Sequence, residues 1–155
     1  MKNLQKSGCE NIIVLPLYPQ YAAATTATVC DEVYKTLMGM RWQPSLQIIP
    51  HYESEPLYIN SLKNSLEKKI SELGWEPDLV VASYHGIPKK YFSKGDPYHC
   101  YCQKTSRLLS EKFKKIPIKT TFQSRFGPQE WLQPYTDKTL EKLPALGKKL
   151  SLIHI

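Results

Sequence analysis

The sequence predicts an α/β fold on a largely parallel sheet, and three observations carry that expectation. Short apolar runs rich in β-branched residues alternate with longer segments of helical periodicity. That alternation is the mark of strands joined by crossover helices. The apolar runs are also continuous rather than alternating, as expected of parallel strands covered on both faces.

Asn11 to Leu17 reads as the first strand, ending in a Tyr18-Pro-Gln-Tyr21 turn. Ala22 to Met40 follows as an amphipathic helix, with Val29, Val33, Leu37 and Met40 at three- and four-residue steps and Gly39 near its end. Ser45 to Pro50 is a second strand. Glu55 to Leu73 is the clearest helix, with Leu62, Leu66, Ile70 and Leu73 on one face and Gly74 as its stop. Asp78 to Tyr84 makes a third strand and opens into a loop holding Gly86, Pro88, Gly95 and Asp96. Pro97 fits the first turn of the next helix, where a missing N–H costs nothing. Ile116 to Gln123 is a fourth strand, Thr136 to Leu146 a fourth helix, and Leu150 to Ile155 a fifth strand.

Composition narrows the class. Hydrophobic residues at 41% and charged residues at 23% of 155 exclude a disordered or collagenous chain. No apolar run approaches the roughly 20 residues of a bilayer span, and no signal peptide precedes the first strand. Cys9, Cys30, Cys100 and Cys102 therefore read as reduced thiols of a cytoplasmic protein. The net charge of +7 fits solvated helix faces, an anionic membrane surface, nucleic acid or a carboxylate-bearing substrate. The lysines are scattered and no nucleic-acid-binding signature is visible, so no nucleic-acid partner is expected.

In open α/β sheets, ligands collect beyond the carboxyl ends of the strands. The loops there, Tyr18–Tyr21, His51–Glu55, His85–Asp96 and Ser124–Pro134, hold His51, His85, Arg125, Trp131 and several tyrosines. Ser83-Tyr-His-Gly-Ile-Pro88 places His85 directly after a buried strand. Imidazole both accepts a proton near neutral pH and ligates transition metals. The bland alternative is a loop histidine bonded to a neighbour. The segment from Phe122 to Pro134 mixes polar groups with Phe126 and Trp131, which suits a flat organic ligand or, equally, a well-packed loop. His99-Cys-Tyr-Cys102 lacks zinc-site spacing, because positions two apart on a helix do not face each other.

Five segments together resemble the ferrochelatase family, in its bacterial protoporphyrin-type form. They are Leu15-Pro-Leu-Tyr-Pro-Gln-Tyr21 with Thr25-Thr26, Ser83-Tyr-His-Gly-Ile-Pro88, Gly95-Asp-Pro-Tyr98, Phe122-Gln-Ser-Arg-Phe-Gly127 and Trp131-Leu-Gln-Pro-Tyr-Thr-Asp137. The resemblance implies two Rossmann-like lobes with a porphyrin between them, and insertion of Fe²⁺ into protoporphyrin IX with release of two protons. It makes this chain one partial chelatase-type region, residues 1–155, forming mainly one three-layer lobe with a parallel sheet.

His85 matches the family's active-site histidine, acting as iron ligand, as acceptor of pyrrole protons, or as both. Gln123, Ser124 and Trp131 match positions at or near the porphyrin cleft. Iron is then a substrate. No [2Fe–2S] cluster is expected, since the family's mid-chain cysteine position corresponds to Ala23 and neither Cys100 nor Cys102 matches a ligand.

Measured against that pattern, an amino-terminal region and a carboxyl-terminal glutamate segment are missing, which implies a fragment. Residues 150–155 read as a non-native tail, so His154 receives no role. Membrane association, at the inner membrane, is expected to be peripheral at most. The rival expectation is a non-catalytic lobe that binds porphyrin weakly or only packs against a partner.

Overall fold

The computed structural model describes residues 1–148 and 150–154; the side chains of Lys2 and of residues 150–154 fall outside that description. The chain forms two compact units, Met1–Tyr52 and Glu53–Ile155.

The first unit holds α1 (Lys2–Lys6), β1 (Asn11–Val14), α2 (Thr28–Met38) and β2 (Ser45–Ile48). β1 and β2 pair in parallel, from Asn11 opposite Ser45 to Val14 opposite Ile48. Ile12, Ala22, Val33 and Met40 are buried. The helix expected from Ala22 does not begin as an α-helix, because Ala23–Ala27 forms a π turn instead. The cause is local. Thr25 Oγ1 donates to the Ala22 carbonyl at 3.4 Å, and Thr28 Oγ1 donates to the Thr25 carbonyl at 2.7 Å. Hydroxyl bonds of this kind compete with the regular helical ladder. The expectation of strands covered on both faces also fails here. Ile13 on β1 is 68% exposed, since the small sheet buries Ile12 and leaves the opposite face open.

The second unit holds α3 (Pro56–Ser71), β3 (Leu79–His85), α4 (Lys89–Ser93), α5 (Tyr98–Lys112), β4 (Ile118–Gln123), α6 (Thr136–Lys142) and β5 (Leu150–His154). Its three strands run parallel in the order β4-β3-β5. β3 is the central strand and its residues Val80–Tyr84 are all buried, as the continuous apolar run requires. Alternate residues face different helices. Tyr84 reaches α5, where its hydroxyl lies 2.9 Å from Ser106 Oγ. Ser83 reaches α6, where its hydroxyl lies 2.9 Å from Thr136 Oγ1. Helices on both faces of a parallel sheet make the three layers of an α/β lobe.

Two apolar clusters fill the α5 side. One joins Ala82, Tyr84, Ile87, Cys102, Phe122 and Leu132; the other joins Leu66, Val80, Phe113 and Ile116. Glu53 is fully buried and is neutralised by Lys104 Nζ at 2.8 Å. That pair ties the approach to α3 onto α5.

Two segments depart from expectation, and a third is matched as far as it is described. The fourth helix ends at Lys142, and Pro144–Leu146 turns more tightly into Gly147 at φ +65°, because proline cannot donate to the helical ladder. The loop after β3 contains α4, entered through an extended Pro88. The backbone of Leu150–His154 pairs with Leu79–Ser83 of β3, while Ile155 of the expected fifth strand lies outside the described residues. Among the described residues, no helix is long and apolar enough to cross a membrane.

Candidate functional site

β3 and β4 end together. Their register sets Ser83 opposite Thr121 and His85 opposite Gln123. Paired residues of parallel strands point to the same face, and so do residues two apart. The pleat therefore puts Ser83, His85, Thr121 and Gln123 on one face at the carboxyl end of the sheet, where such folds bind ligands.

His85 is exposed, and both its backbone and its ring are held. Tyr98 on α5 donates its hydroxyl to the His85 carbonyl at 2.9 Å. Burial pushes the Tyr98 phenol well above the ordinary tyrosine range, so it stays a donor. The ring's Nδ1 lies 2.8 Å from the Gly86 carbonyl oxygen. A carbonyl only accepts, so Nδ1 carries a proton, and in the neutral ring the lone pair is then on Nε2. Nε2 is thus the ring atom left for a metal ion or a proton.

Gly86 explains the close approach behind that ring. Its N–H donates to the Gln123 carbonyl at 2.8 Å. A Cβ at this position would sit 2.7 Å from that carbonyl oxygen and 3.2 Å from Trp131 Cε3. Trp131 is buried against this glycine. Its Nε1 donates to the Phe126 carbonyl at 2.9 Å, and its ring packs on Phe126 at 5.0 Å.

The Ser124–Pro134 loop is stapled along the crossover that leaves β3. Leu132 N donates to the Ile87 carbonyl at 3.0 Å, and Lys89 N donates to the Glu130 carbonyl at 2.9 Å. Ser124 leaves β4 at φ +67°, a left-handed conformation that turns the chain sharply and that few non-glycine residues adopt. Arg125, at the start of the loop, reaches the residues just beyond its end, pairing with Asp137 at 2.7 Å and stacking over Tyr135 at 4.1 Å. Behind Trp131 lies a side cavity of about 320 Å³ whose walls include Phe92, His99 and Leu132.

The structure therefore brings His85, Gln123, Ser124 and Trp131 into one unit, around the ends of two adjacent strands. Of the other loops read as ligand-collecting, Tyr18–Tyr21 belongs to the first unit and His51–Glu55 spans the division. His99, Cys100 and Cys102 all lie on α5, with Cys100 exposed and Cys102 buried, as positions two apart on a helix require. Among the described residues, no group of three or more His, Cys, Asp or Glu is arranged to hold a metal ion. Sequence reasoning missed the supporting roles of Tyr98, Ser83 and Thr136. Gly95-Asp-Pro-Tyr98 was the one signal for Tyr98. Asp96 Oδ1 accepts the Tyr98 N–H at 3.0 Å, which sets the start of α5 and delivers the phenol to His85.

These features define an α/β protein with an exposed histidine at the carboxyl end of a parallel sheet, a candidate ligand site. The sequence matches the family model described as Ferrochelatase over residues 1–155. The chain belongs to the ferrochelatase family. It is 60% identical over 157 residues to the ferrochelatase of Allorhizobium ampelinum, covering 99% of this chain and 46% of that protein. It is 58% identical over 154 residues to that of Rhizobium meliloti, covering 97% and 45%. With the ferrochelatase of Brucella anthropi it shares 53% identity over 148 residues, covering 94% and 42%. The chain thus spans about half the length of the curated relatives it matches.

Proposed function

We propose that this chain carries the histidine side of a porphyrin metallation site, at which Fe²⁺ is inserted into protoporphyrin IX to give protohaem. The observation that carries the reading is the contact of His85 Nδ1 with the Gly86 carbonyl oxygen at 2.8 Å. With Nδ1–H spent on the Gly86 carbonyl, Nε2 is the nitrogen that the exposed ring leaves available at the strand end. Insertion replaces two pyrrole protons by one Fe²⁺, so the site must hold a metal, accept protons, or do both. A neutral imidazole nitrogen suits either task.

In this reading Trp131 forms a rigid wall, while Gln123 and Ser124 shape the rim where the macrocycle is oriented. Iron is substrate, and no [2Fe–2S] cluster takes part. The reading treats residues 1–155 as one partial chelatase region of a cytoplasmic protein, with peripheral contact to the inner membrane and no nucleic-acid partner. A second reading rests on coverage: the chain spans 46% of the Allorhizobium ampelinum ferrochelatase. Under it, this chain is a non-catalytic lobe that binds porphyrin weakly or only packs against a partner.

The test is anaerobic incubation of the chain with protoporphyrin IX and Fe²⁺, following loss of porphyrin fluorescence and the shift of the Soret band. His85→Ala is expected to retain porphyrin binding and to lose at least ~100-fold in insertion rate, the ordinary scale of an acid–base group. Near-normal insertion by that variant overturns the assignment of His85. Binding without insertion by the unaltered chain selects the second reading.

A further inference from the structure

The face of the sheet that carries His85 contains a buried chain of hydroxyls where aliphatic side chains would be ordinary. Ser83 and Thr121 are fully buried, and Thr136 is 7% exposed. Ser83 Oγ donates to Gln123 Oε1 at 3.1 Å. Ser83 Oγ and Thr136 Oγ1 lie 2.9 Å apart, and Thr136 donates to Thr121 Oγ1 at 2.9 Å. Each hydroxyl has one proton. With the Ser83 proton given to Gln123, the Thr136 proton is shared between Ser83 and Thr121, a three-centre arrangement. Each of the three hydroxyls thus has a hydroxyl partner, and the chain they form ends on the amide of Gln123.

Valine and alanine would fill these positions without the desolvation cost of buried polar atoms. Three hydroxyls in register, closed from both strands and from the first residue of α6, are informative for that reason. Their common outlet is the Gln123 side chain at the end of β4. With its Oε1 held from below, the amide is turned so that its Nε2 hydrogens are the end offered to an acceptor. The same chain pins Thr136, where the Ser124–Pro134 loop rejoins the fold.

We infer that Ser83, backed by Thr136 and Thr121, is a positioning residue that fixes the rotamer and facing of the Gln123 amide. Its effect on ligand binding rests on the reading of Gln123 as a porphyrin-cleft residue. Two measurements separate the inference from that reading. In ¹⁵N-labelled chain, the Gln123 side-chain NH₂ pair is expected at shifts distinct from free glutamine. Ser83→Ala moves it to the free position, and Thr136→Val, which keeps the volume, moves it part of the way. A Gln123 pair already at the free position in the unaltered chain overturns the inference.

The second measurement is quenching of tryptophan emission by protoporphyrin IX in a double-mutant cycle. Ser83→Ala is expected to weaken binding about five- to tenfold, the scale of one neutral hydrogen bond. It should cost nothing further in Gln123→Ala. Additive losses overturn the coupling of Ser83 to the ligand through Gln123. A silent Gln123→Ala sinks the cleft reading and leaves the amide shifts to decide the positioning role.

Discussion

Replacing Gly86 with alanine tests the central contact of the site, and the sign of its effect is informative. The Gly86 φ is one that other residues adopt. At such positions Gly→Ala normally stabilises by about 0.4–1 kcal/mol, because the unfolded chain has fewer states to lose. Here the new methyl would stand 2.7 Å from the Gln123 carbonyl oxygen and 3.2 Å from Trp131 Cε3. The carbonyl would have to retreat by about 0.7 Å to reach the 3.4 Å edge of ordinary contact. It is backbone at the end of β4, and it accepts the Gly86 N–H at 2.8 Å. Forcing an extra methyl into a packed site costs about 1–3 kcal/mol. Weakening the hydrogen bond adds about 0.5–1.5 kcal/mol. The net expectation is a loss of about 2 kcal/mol after the entropic gain is subtracted. In urea unfolding followed by circular dichroism, the midpoint should fall by about 1 M at an unchanged slope. A midpoint that is unchanged or raised refutes the claim that this glycine is required by contact.

Two further predictions concern the α5 face. His99 lies between Phe92, at 5.2 Å, and Phe122, at 5.6 Å, and desolvation lowers its pKa. A lowered folded-state pKa means the unfolded chain binds the proton more readily. Stability should therefore be full above about pH 6.5, the unfolded value, and fall as the pH drops below it. Urea midpoints at pH 7.5 and 5.5 should separate for the unaltered chain and converge for His99→Phe; equal separation in both refutes the assignment. Burial also pushes the Cys102 thiol well above the ordinary range, whereas Cys100 is exposed. Iodoacetamide should modify Cys100 in the native protein and Cys102 only after unfolding. Equal rates, read by mass spectrometry of peptides, would contradict the burial.

The legible parts of the fold were those written in periodicity. Val80 and Val81 within an apolar run announced the central strand, and Leu66 on its helical face is buried as expected. His85 stood out as a candidate because it closes that strand, and Trp131 because an aromatic stood out in a polar loop. The open face of β1 was not legible, since Ile13 and Ile12 look alike in sequence while one is 68% and the other 6% exposed. What covers a strand is a tertiary fact. The hydroxyl chain was hidden for another reason. Thr121 and Thr136 read as ordinary strand and helix-start residues, and only the register of β3 with β4 reveals that they meet Ser83. The link from Tyr98 to the His85 carbonyl spans 13 residues across a short helix, beyond the reach of any local pattern.

The two faces of β3 divide the work on His85. One face buries Tyr84 against α5, and the same helix sends the Tyr98 phenol to the His85 carbonyl. The other face carries the imidazole, whose Nδ1–H is held by the neutral Gly86 carbonyl. A carbonyl partner orients the ring without setting a negative charge beside it. The Nδ1–H bond also survives protonation at Nε2, because both nitrogens of an imidazolium are donors. The ring can therefore take up a proton without turning, and its Nε2 direction stays fixed whether it meets a metal or a proton. A ring oriented instead by an acceptor bond at Nδ1 would lose that bond on protonation and would swing. Under the proposed reading, fixing direction through the backbone would let one histidine serve both halves of a reaction in which a cation enters as protons leave.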